Sequence, residues 1–383
     1  MKKILFVSQA SLFPPEHGGA KSIRACAEEL AAVGVQCRVL VKLHPPAPSR
    51  IRFAGQQAET LPRGRAGVAY EGVAGGVAEL ARAVREHALR FAPDAAVMSD
   101  DSLDESVELY EAGADTGRLI FMAQTIHGLP FGPFAMKPSP AAARALARAA
   151  ALTAPSRFVA DYVEEHLGRA AAVRHPDVFG RGPFRRLGRR DNRFVTMINP
   201  CPWKGSSIFL NLARLRPDLE FAAVPTWGAT PPLLEELRSL PNVTLLQETP
   251  DIDKIFAVTR VLLAPSLCQE AFGLVSPEAL LRGVPVIASA IAGLRESTLG
   301  AATLIPVKPL PFGRAKSGTD HTKFEWAEPE NPAEPWSRAV DALLEDDGAY
   351  EAAAERGRAA ASRFVDALSR RSPLSLPEAV TAR

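Results

Sequence analysis

The feature that most constrains the fold of this chain is an alternation of short apolar runs with helical patterns. In the first set, a buried strand is predicted at 4–7, and a helix from Ala20 ends near Gly34. Further strands are predicted at 36–41, 95–98, 118–123 and 172–174. Strands that alternate with helices form parallel sheets covered by helices, so the fold class is α/β.

A second set of the same kind follows. Its strands are predicted at 194–198, 219–224, 243–246, 261–264, 284–288 and 302–305. Between the sets, segment 176–193 has two prolines, three glycines and six arginines without apolar periodicity, which is typical of an interdomain linker. The expected domains are therefore 1–175 and 194–364, and the C-terminal helix, 365–383, is expected to join the first domain.

Composition narrows the class of protein. The 383 residues are 47% hydrophobic and 23% charged, which is typical of a globular protein, and a net charge of +2 implies no nucleic-acid partner. The four cysteines have no metal-binding spacing, and no apolar run has the length of a signal peptide or a membrane span. We expect a cytoplasmic protein, with peripheral contact at the inner membrane face as a further hypothesis for the arginines of 176–193 and of the last helix.

The segment from Glu270 to Glu278 carries the most chemical information. A strand ends before it, a glycine turn follows, and a helix is predicted to begin near Ser276. The amides around Gly273 to Val275 would face an anion such as a diphosphate at this helix start. The two carboxylates could accept hydrogen bonds from a hexose and a ribose. The alternative is that Glu278 only complements the helix dipole and that Glu270 is solvated.

The run Glu270-Ala-Phe-Gly-Leu-Val-Ser-Pro-Glu278, followed by Gly283-Val-Pro-Val-Ile-Ala-Ser289, resembles the signature of the retaining glycosyltransferase family 4, which has the GT-B fold. The resemblance implies two Rossmann-like domains with parallel sheets facing a central cleft, an acceptor-side N-terminal domain and a donor-binding C-terminal one. It implies that Glu270 binds the transferred sugar and Glu278 the ribose. The amides implied to hold the diphosphate are those of Phe272, Gly273, Leu274 and Val275.

The resemblance extends to Trp203-Lys204-Gly205, where the family has a lysine that neutralises the diphosphate. The family often has an arginine five residues earlier, whereas this chain has Asn199, which carries no charge. Either Lys204, the helix dipole and another cation neutralise the phosphates, or the leaving group is bound differently. The alternative for Lys204 is an exposed loop lysine.

Three other segments resemble family motifs. Gly18 and Gly19 lie in a loop that is similar to a glycine loop near the donor phosphates, and a tight turn is the alternative. His127 lies in a loop near the transferred sugar, although an isolated histidine is more often structural. Gly293 would permit close approach to the donor. Apolar side chains after His127 could line an acceptor site or pack under the loop: Phe131, Phe134 and Met136.

The expected function is retaining transfer of a hexose from a nucleotide sugar, UDP-linked before GDP-mannose, to a hydroxyl of a glycan, a lipid-linked or a small-molecule acceptor. No cofactor is expected. No metal is expected either, because no D-x-D pair lies directly at the end of a predicted strand. The alternatives are an epimerase of the same architecture and a noncatalytic nucleotide-sugar-binding protein, the latter because of Asn199. The long connection 307–335 is expected to be a lid or disordered.

Overall fold

A computed structural model describes residues 2–15, 17–43, 64–100, 107–311 and 329–372. The chain forms two compact units, and each is described by itself. The first unit comprises Met1–Val178 and the chain from Leu368 onward, and the second comprises Phe179–Ala367. Within the described residues, no helix is long and apolar enough to cross a membrane.

The first unit is built on an eight-stranded sheet with the order β3-β4-β2-β1-β5-β6-β7-β8. Its strands are β1 Lys3–Ser8, β2 Gln36–Lys42, β3 Gly64–Arg65, β4 Val68–Val73, β5 Ala95–Ser99, β6 Leu119–Met122, β7 Ala151–Ala154 and β8 Ala172–Val173. All neighbours pair in parallel except β3 and β4, which pair antiparallel. The alternation in the first half of the sequence therefore forms the predicted parallel sheet.

The described residues of this unit contain five complete helices. They are α1 Gly18–Ala32, α2 Val77–Arg90, α3 Val107–Ala114, α4 Pro140–Ala147 and α5 Arg157–Leu167. Helix α1 buries Ile23, Cys26, Ala27 and Leu30, which recur at helical spacing, and Gly34 follows it with a φ of 89°. The apolar stripe of α1 thus packs into the core of the unit, as its periodicity indicated.

Strand β4 was missed by the sequence analysis. It pairs in parallel with β2 over six residues, from the Cys37–Val68 pair to the Lys42–Val73 pair. Its exposed positions include Glu71 and Gly72, so it lacks the uniform apolar run that marks the central strands.

The second unit contains a six-stranded parallel sheet with the order β11-β10-β9-β12-β13-β14. Its strands are β9 Phe194–Ile198, β10 Phe221–Val224, β11 Val243–Leu245, β12 Thr259–Ala264, β13 Val286–Ser289 and β14 Thr303–Ile305. Its helices are α6 Ser206–Leu215, α7 Pro231–Ser239, α8 Ile252–Phe256, α9 Val275–Leu281, α10 Leu294–Ser297, α11 Glu334–Leu344 and α12 Asp347–Ser369. Each predicted strand of the second set is present, with ends that differ by at most two residues.

Most of the predicted linker, 176–193, belongs to the second unit, which begins at Phe179. The amides of Leu187 and Gly188 donate to the carbonyl oxygen of Arg282 at 2.8 and 2.9 Å. A Cβ at Gly188 would lie 2.0 Å from the Gly283 oxygen, so this contact requires glycine. Three of its arginines form ion pairs, Arg186 with Glu351, Arg190 with Asp347 and Arg193 with Glu220.

The ends of the long connection 307–335 are held together. Asn331 accepts from the Lys308 amide at 2.8 Å and donates to the Lys308 oxygen at 3.0 Å, and the Leu310 amide donates to the Leu267 oxygen at 2.9 Å. Residues 312–328 lie outside the described part of the chain, so the lid hypothesis stays a prediction.

A cluster of charged side chains in the first unit joins α1, the end of β8 and Arg371, two residues after the end of α12. Arg174 lies 3.6 Å from Glu29, and Arg371 donates to the His175 oxygen at 3.0 Å. Burial and the nearby Asp177 carboxylate raise the pKa of Glu29 to about 7, against the opposing effect of Arg174. Burial and the positive charge of Arg174 lower the pKa of Arg371.

The raised pKa of Glu29 predicts a pH-dependent stability. A carboxyl whose pKa is higher in the folded than in the unfolded protein stabilises the fold below its unfolded pKa, and this contribution is lost as the pH rises through about 7. Glu29→Gln keeps the shape without titrating. The Tm difference, variant minus wild type, should therefore increase between pH 5 and pH 8 in thermal unfolding.

The matched control is Glu86→Gln, which changes an exposed carboxylate on α2. Its Tm difference from wild type should stay constant over the same pH range. If the Tm difference between Glu29→Gln and the wild type also stays constant between pH 5 and pH 8, the titration of Glu29 does not contribute to the stability of the fold.

Candidate functional site

Most of the predicted donor-site residues of the second unit lie at the carboxyl ends of three neighbouring strands. Lys204 follows β9, Glu270 follows β12, and Gly293 follows β13. In the sheet order, β9, β12 and β13 are adjacent and parallel. Loops at the carboxyl ends of parallel strands meet at one edge of the sheet, where open α/β folds bind their ligands.

The turn that carries Lys204 is fixed to the end of β12. Residues Pro202–Lys204 form one turn of 3-10 helix, and Gly205 follows with a φ of 78°. A Cβ at Gly205 would lie 2.0 Å from the Pro265 oxygen, so glycine is required there. The carbonyl oxygen of Trp203 accepts hydrogen bonds from the amides of Leu267 and Cys268 at 2.9 and 3.1 Å. We call these contacts the β9–β12 clamp.

The clamp brings Lys204 and Glu270 together. The Lys204 ammonium forms an ion pair with Oε1 of Glu270, and the Ser266 hydroxyl donates to the same oxygen at 2.6 Å. The Lys204 side chain is 28% exposed and that of Glu270 is 12% exposed. A solvated Glu270 and a freely exposed Lys204, the two structural alternatives, both disagree with this geometry.

The surroundings keep Lys204 charged. Its burial lowers the pKa of the ammonium, but the negative charge of Glu270 and the hydrogen bond to it have the larger combined effect, so the pKa lies above its ordinary value. Burial raises the pKa of the neighbouring thiol of Cys201 to about 11 and that of Cys268 still further. Lys204 therefore carries a positive charge next to the Glu270 carboxylate.

The glycine turn before α9 has the predicted form. Gly273 has a φ of 91°, and a Cβ there would lie 2.5 Å from the Leu294 side chain. Helix α9 begins at Val275, one residue before the predicted start, and Glu278 lies in its first turn. The amides of a first helical turn have no acceptors within the helix. The side chain of Phe272 is 3% exposed and stacks on Phe364, so its backbone is the part that can reach a ligand.

Gly293 supports the Glu270 turn directly. Its amide donates to the Glu270 oxygen at 2.9 Å, and a Cβ would lie 2.3 Å from the Ala271 oxygen. Glycine is therefore required at position 293 because its backbone lies against the backbone of the Glu270 turn. Glu296 belongs to α10, and its amide donates to the Gly293 oxygen at 3.1 Å.

Asn199 braces two strand ends. It has a left-handed backbone with a φ of 58°, and its side-chain oxygen accepts from the Gly228 amide at 3.1 Å. Its own amide donates to the Val224 oxygen at 2.9 Å. The position where the family often has an arginine therefore holds a neutral side chain that joins the end of β9 to the end of β10.

In the first unit, Gly18 and Gly19 form the first turn of α1 and not a loop, which corrects the predicted helix start. His17, to which the sequence analysis gave no role, is the N-cap, and its Nδ1 accepts from the Ala20 amide at 3.3 Å. A Cβ at Gly19 would lie 3.2 Å from the Gln124 side chain. Gly19 thus allows the start of α1 to approach the segment that follows β6.

The loop of His127 is held by a buried carboxylate that the sequence analysis did not assign. Asp100, 2% exposed, accepts hydrogen bonds from the amide of Gln124 and, at 2.9 Å, from that of Thr125. A Cβ at Gly128 would lie 2.7 Å from the backbone carbonyl oxygen of Asp100, so the loop is in direct contact with this residue. The signal available in the sequence was an acidic residue immediately after strand β5.

The three candidate acceptor residues differ in their exposure to solvent. Phe131 and Met136 are 8% and 7% exposed, whereas Phe134 is partly exposed. The Tyr162 hydroxyl donates to the Phe131 oxygen at 3.1 Å and accepts from the Phe134 amide at 3.2 Å. Phe131 and Met136 thus pack under the loop, as the alternative stated, and Phe134 is the member that presents surface to solvent.

The second unit resembles a known protein family in sequence. Residues 194–310 match the family model for group 1 glycosyl transferases, and this region contains the clamp, Glu270, Glu278 and Gly293. No curated protein matches the chain significantly.

Solved structures of similar fold cover nearly the whole chain. HepE of Anabaena, in complex with UDP-glucose, has a TM-score of 0.71 and 19% identity, with 100% of each chain covered. Sucrose-phosphate synthase of Thermosynechococcus elongatus has a TM-score of 0.66 and 15% identity, with 99% of this chain and 98% of that chain covered. WaaG, a glycosyltransferase involved in lipopolysaccharide biosynthesis, has a TM-score of 0.59 and 17% identity, with coverages of 98% and 97%. The fold is thus the predicted GT-B fold.

The contacts of Gly293 predict a sensitive position. Gly293→Ala should destabilise the second unit by about 1–3 kcal/mol, because the new Cβ overlaps the Ala271 oxygen and forces the backbone apart. Denaturant unfolding measures the change. Gly348→Ala on α12 is the control, since its Cβ would meet only the end of the Asp346 side chain, at 3.1 Å. Equal stabilities of the two variants would contradict the packing argument.

Proposed function

We propose that this protein is a retaining, metal-independent glycosyltransferase that moves a hexose from a nucleotide sugar to a hydroxyl group. The observation that carries the proposal is the arrangement of Lys204, Glu270 and Ser266 at the clamped ends of β9 and β12, directly before the glycine turn and first turn of α9. In this arrangement one fixed cation, two carboxylates and a helix start lie on the segment that matches group 1 glycosyl transferases.

The ion pair has a specific role in this proposal. Without a donor, Glu270 is the counter-ion of Lys204. A bound diphosphate competes for the ammonium of Lys204, whose side chain is 28% exposed and whose pKa lies above its ordinary value. Glu270 is then available to accept a hydrogen bond from a hydroxyl of the transferred sugar, while Ser266 keeps its carboxylate oriented. Glu278 binds the ribose, and the amides of residues 272–275 bind the phosphates.

The reaction needs little covalent chemistry from the protein. The bond between the anomeric carbon and the diphosphate oxygen breaks, the acceptor oxygen bonds to the same face of the carbon, and the leaving diphosphate takes the acceptor proton. Lys204 and the α9 start stabilise the negative charge that develops on the leaving group, and the remaining contacts position the reactants. His127 contributes to positioning the transferred sugar on this proposal.

The donor and the acceptor are proposed more broadly. A UDP-sugar is favoured and GDP-mannose is second; the likeness to HepE, which was solved with UDP-glucose, supports this order through the shared fold alone. The acceptor is a hydroxyl of a glycan, of a lipid-linked sugar or of a small molecule. The proposed location is cytoplasmic, with peripheral contact at the inner membrane face as a further hypothesis.

Donor binding is tested by thermal unfolding with UDP-, GDP-, TDP- and ADP-sugars in the presence of EDTA. A ligand that binds the folded state raises the Tm by mass action. One nucleotide class should raise the Tm of the wild type, and Glu278→Ala should abolish this shift because the ribose loses its acceptor. Glu235→Ala, an exposed glutamate on α7, is the matched control and should keep the shift.

Three outcomes contradict parts of the proposal. If no nucleotide sugar stabilises the wild type, the proposed donor site is wrong. A shift that requires a divalent metal contradicts metal independence. Conversion of the donor to an epimer without any acceptor identifies the epimerase alternative. The anomeric configuration of a transferred sugar is read by proton NMR, and an inverted configuration contradicts retention.

The charge of Lys204 should act mainly on the chemical step. Lys204→Met should lower kcat by about 10²–10³-fold, the magnitude of losing one group that stabilises transition-state charge, and Lys204→Arg should recover part of the rate. The measurement is steady-state kinetics on the donor found in the Tm screen. A Met variant with raised KM and unchanged kcat would show that Lys204 only binds the donor.

A further inference from the structure

Trp227 is a half-exposed aromatic side chain in the loop between β10 and α7. It is 51% exposed, and Leu215, at 43%, is the other large apolar side chain exposed to this degree in the described part of the second unit. A single exposed apolar residue is common on protein surfaces, so exposure alone decides nothing. The position of Trp227 and the way its loop is held are the informative features.

The loop of Trp227 is fixed to the end of β9. The amide of Gly228 donates to the side chain of Asn199 at 3.1 Å, and the Ala229 amide donates to the Thr226 oxygen at 3.2 Å. A Cβ at Gly228 would lie 2.9 Å from both Asn199 Oδ1 and Cys201 Sγ, so no larger residue fits without displacement. The tryptophan is therefore presented by a braced loop of defined conformation.

The loop of Trp227 also lies beside the loop of the proposed phosphate site. Strands β10 and β9 are neighbours, with Val224 paired to Ile198, so their exit loops leave the sheet about 5 Å apart. The turn of Lys204 begins at Cys201, whose oxygen accepts from the Lys204 amide at 3.0 Å. An aromatic face and a fixed cation thus lie on adjacent loops at one edge of the sheet.

A nucleoside diphosphate has the complementary chemistry, because it joins a flat base to a compact anion. Stacking on an aromatic side chain is available to every base, since each has a π-face. Tryptophan offers the largest rigid surface for such a contact at a small entropic cost. We propose that Trp227 is the platform on which the base of the donor nucleotide stacks, with Asn199 as the residue that positions its loop.

This inference rests on the proposed donor site, and its test separates the two. Isothermal titration calorimetry with UDP, GDP and ADP identifies the nucleotide that binds the wild type most tightly. With that nucleotide, Trp227→Ala should raise the Kd at least ~10-fold, and Trp227→Phe should restore it to within ~3-fold of the wild type. Leu215→Ala, on α6, is the matched control and should bind like the wild type.

Fluorescence supplies a readout that a purely structural role would not change. The chain has four tryptophans, and stacking of a base should quench the emission of Trp227. Nucleotide should quench the wild type, whereas Trp227→Phe should bind without that quenching. The thermal unfolding of unliganded Trp227→Ala shows whether the variant is folded before its affinity is compared with that of the wild type.

Each other result overturns the inference. A wild type that binds none of the three nucleotides refutes the donor site and the inference with it. Normal affinity in Trp227→Ala refutes the inference and leaves the donor site standing. Quenching that persists in Trp227→Phe also refutes the inference alone, because the base then lies near another tryptophan.

Discussion

The organisation of the second unit's candidate site depends on the β9–β12 clamp. A glycine at 205 lets the turn after β9 lie against the Pro265 oxygen, and the Trp203 oxygen binds two amides beyond β12. These contacts join backbone atoms, so they fix the position of one loop relative to the other. Lys204 and Glu270 meet because the clamp brings their two loops together. On the proposed function, a bound diphosphate replaces Glu270 as the partner of the ammonium.

The same construction continues on the other side of the Glu270 turn. The Gly293 amide binds the Glu270 oxygen, and the Gly273 backbone lies under the Leu294 side chain. The backbone on either side of Glu270 is thus held by two contacts that require glycine. Gly205, after β9, contacts the Pro265 oxygen, and Gly293, after β13, contacts the Ala271 oxygen. In a site that acts by positioning and electrostatics, this rigidity of the supporting backbone is as important as the charged groups themselves.

Much of this arrangement was accessible from the sequence, for identifiable reasons. The central strands of the second sheet, β9, β10, β12 and β13, are mostly apolar and buried, which is typical of a parallel sheet covered on both faces. The glycine turn with Pro277 marks the start of α9. Strand β4 was not predicted because its exposed positions, Ala69, Glu71 and Gly72, interrupt the apolar run and because it follows a long segment without periodicity. The Ser266–Glu270 bond, the Asp100 support and the His17 cap depend on tertiary contacts or on local geometry that no periodicity records.

On the proposed function, asparagine at position 199, where the family often has arginine, changes how the donor is bound. An arginine there would add a positive charge beside the proposed phosphate site, whereas asparagine adopts the left-handed backbone more readily and accepts a hydrogen bond from Gly228. The second cation is thereby replaced by a brace that fixes the loop of Trp227. On the proposed function, less of the donor's binding free energy then comes from its phosphates and more from its base, so affinity should depend less on ionic strength than it would in a two-cation site.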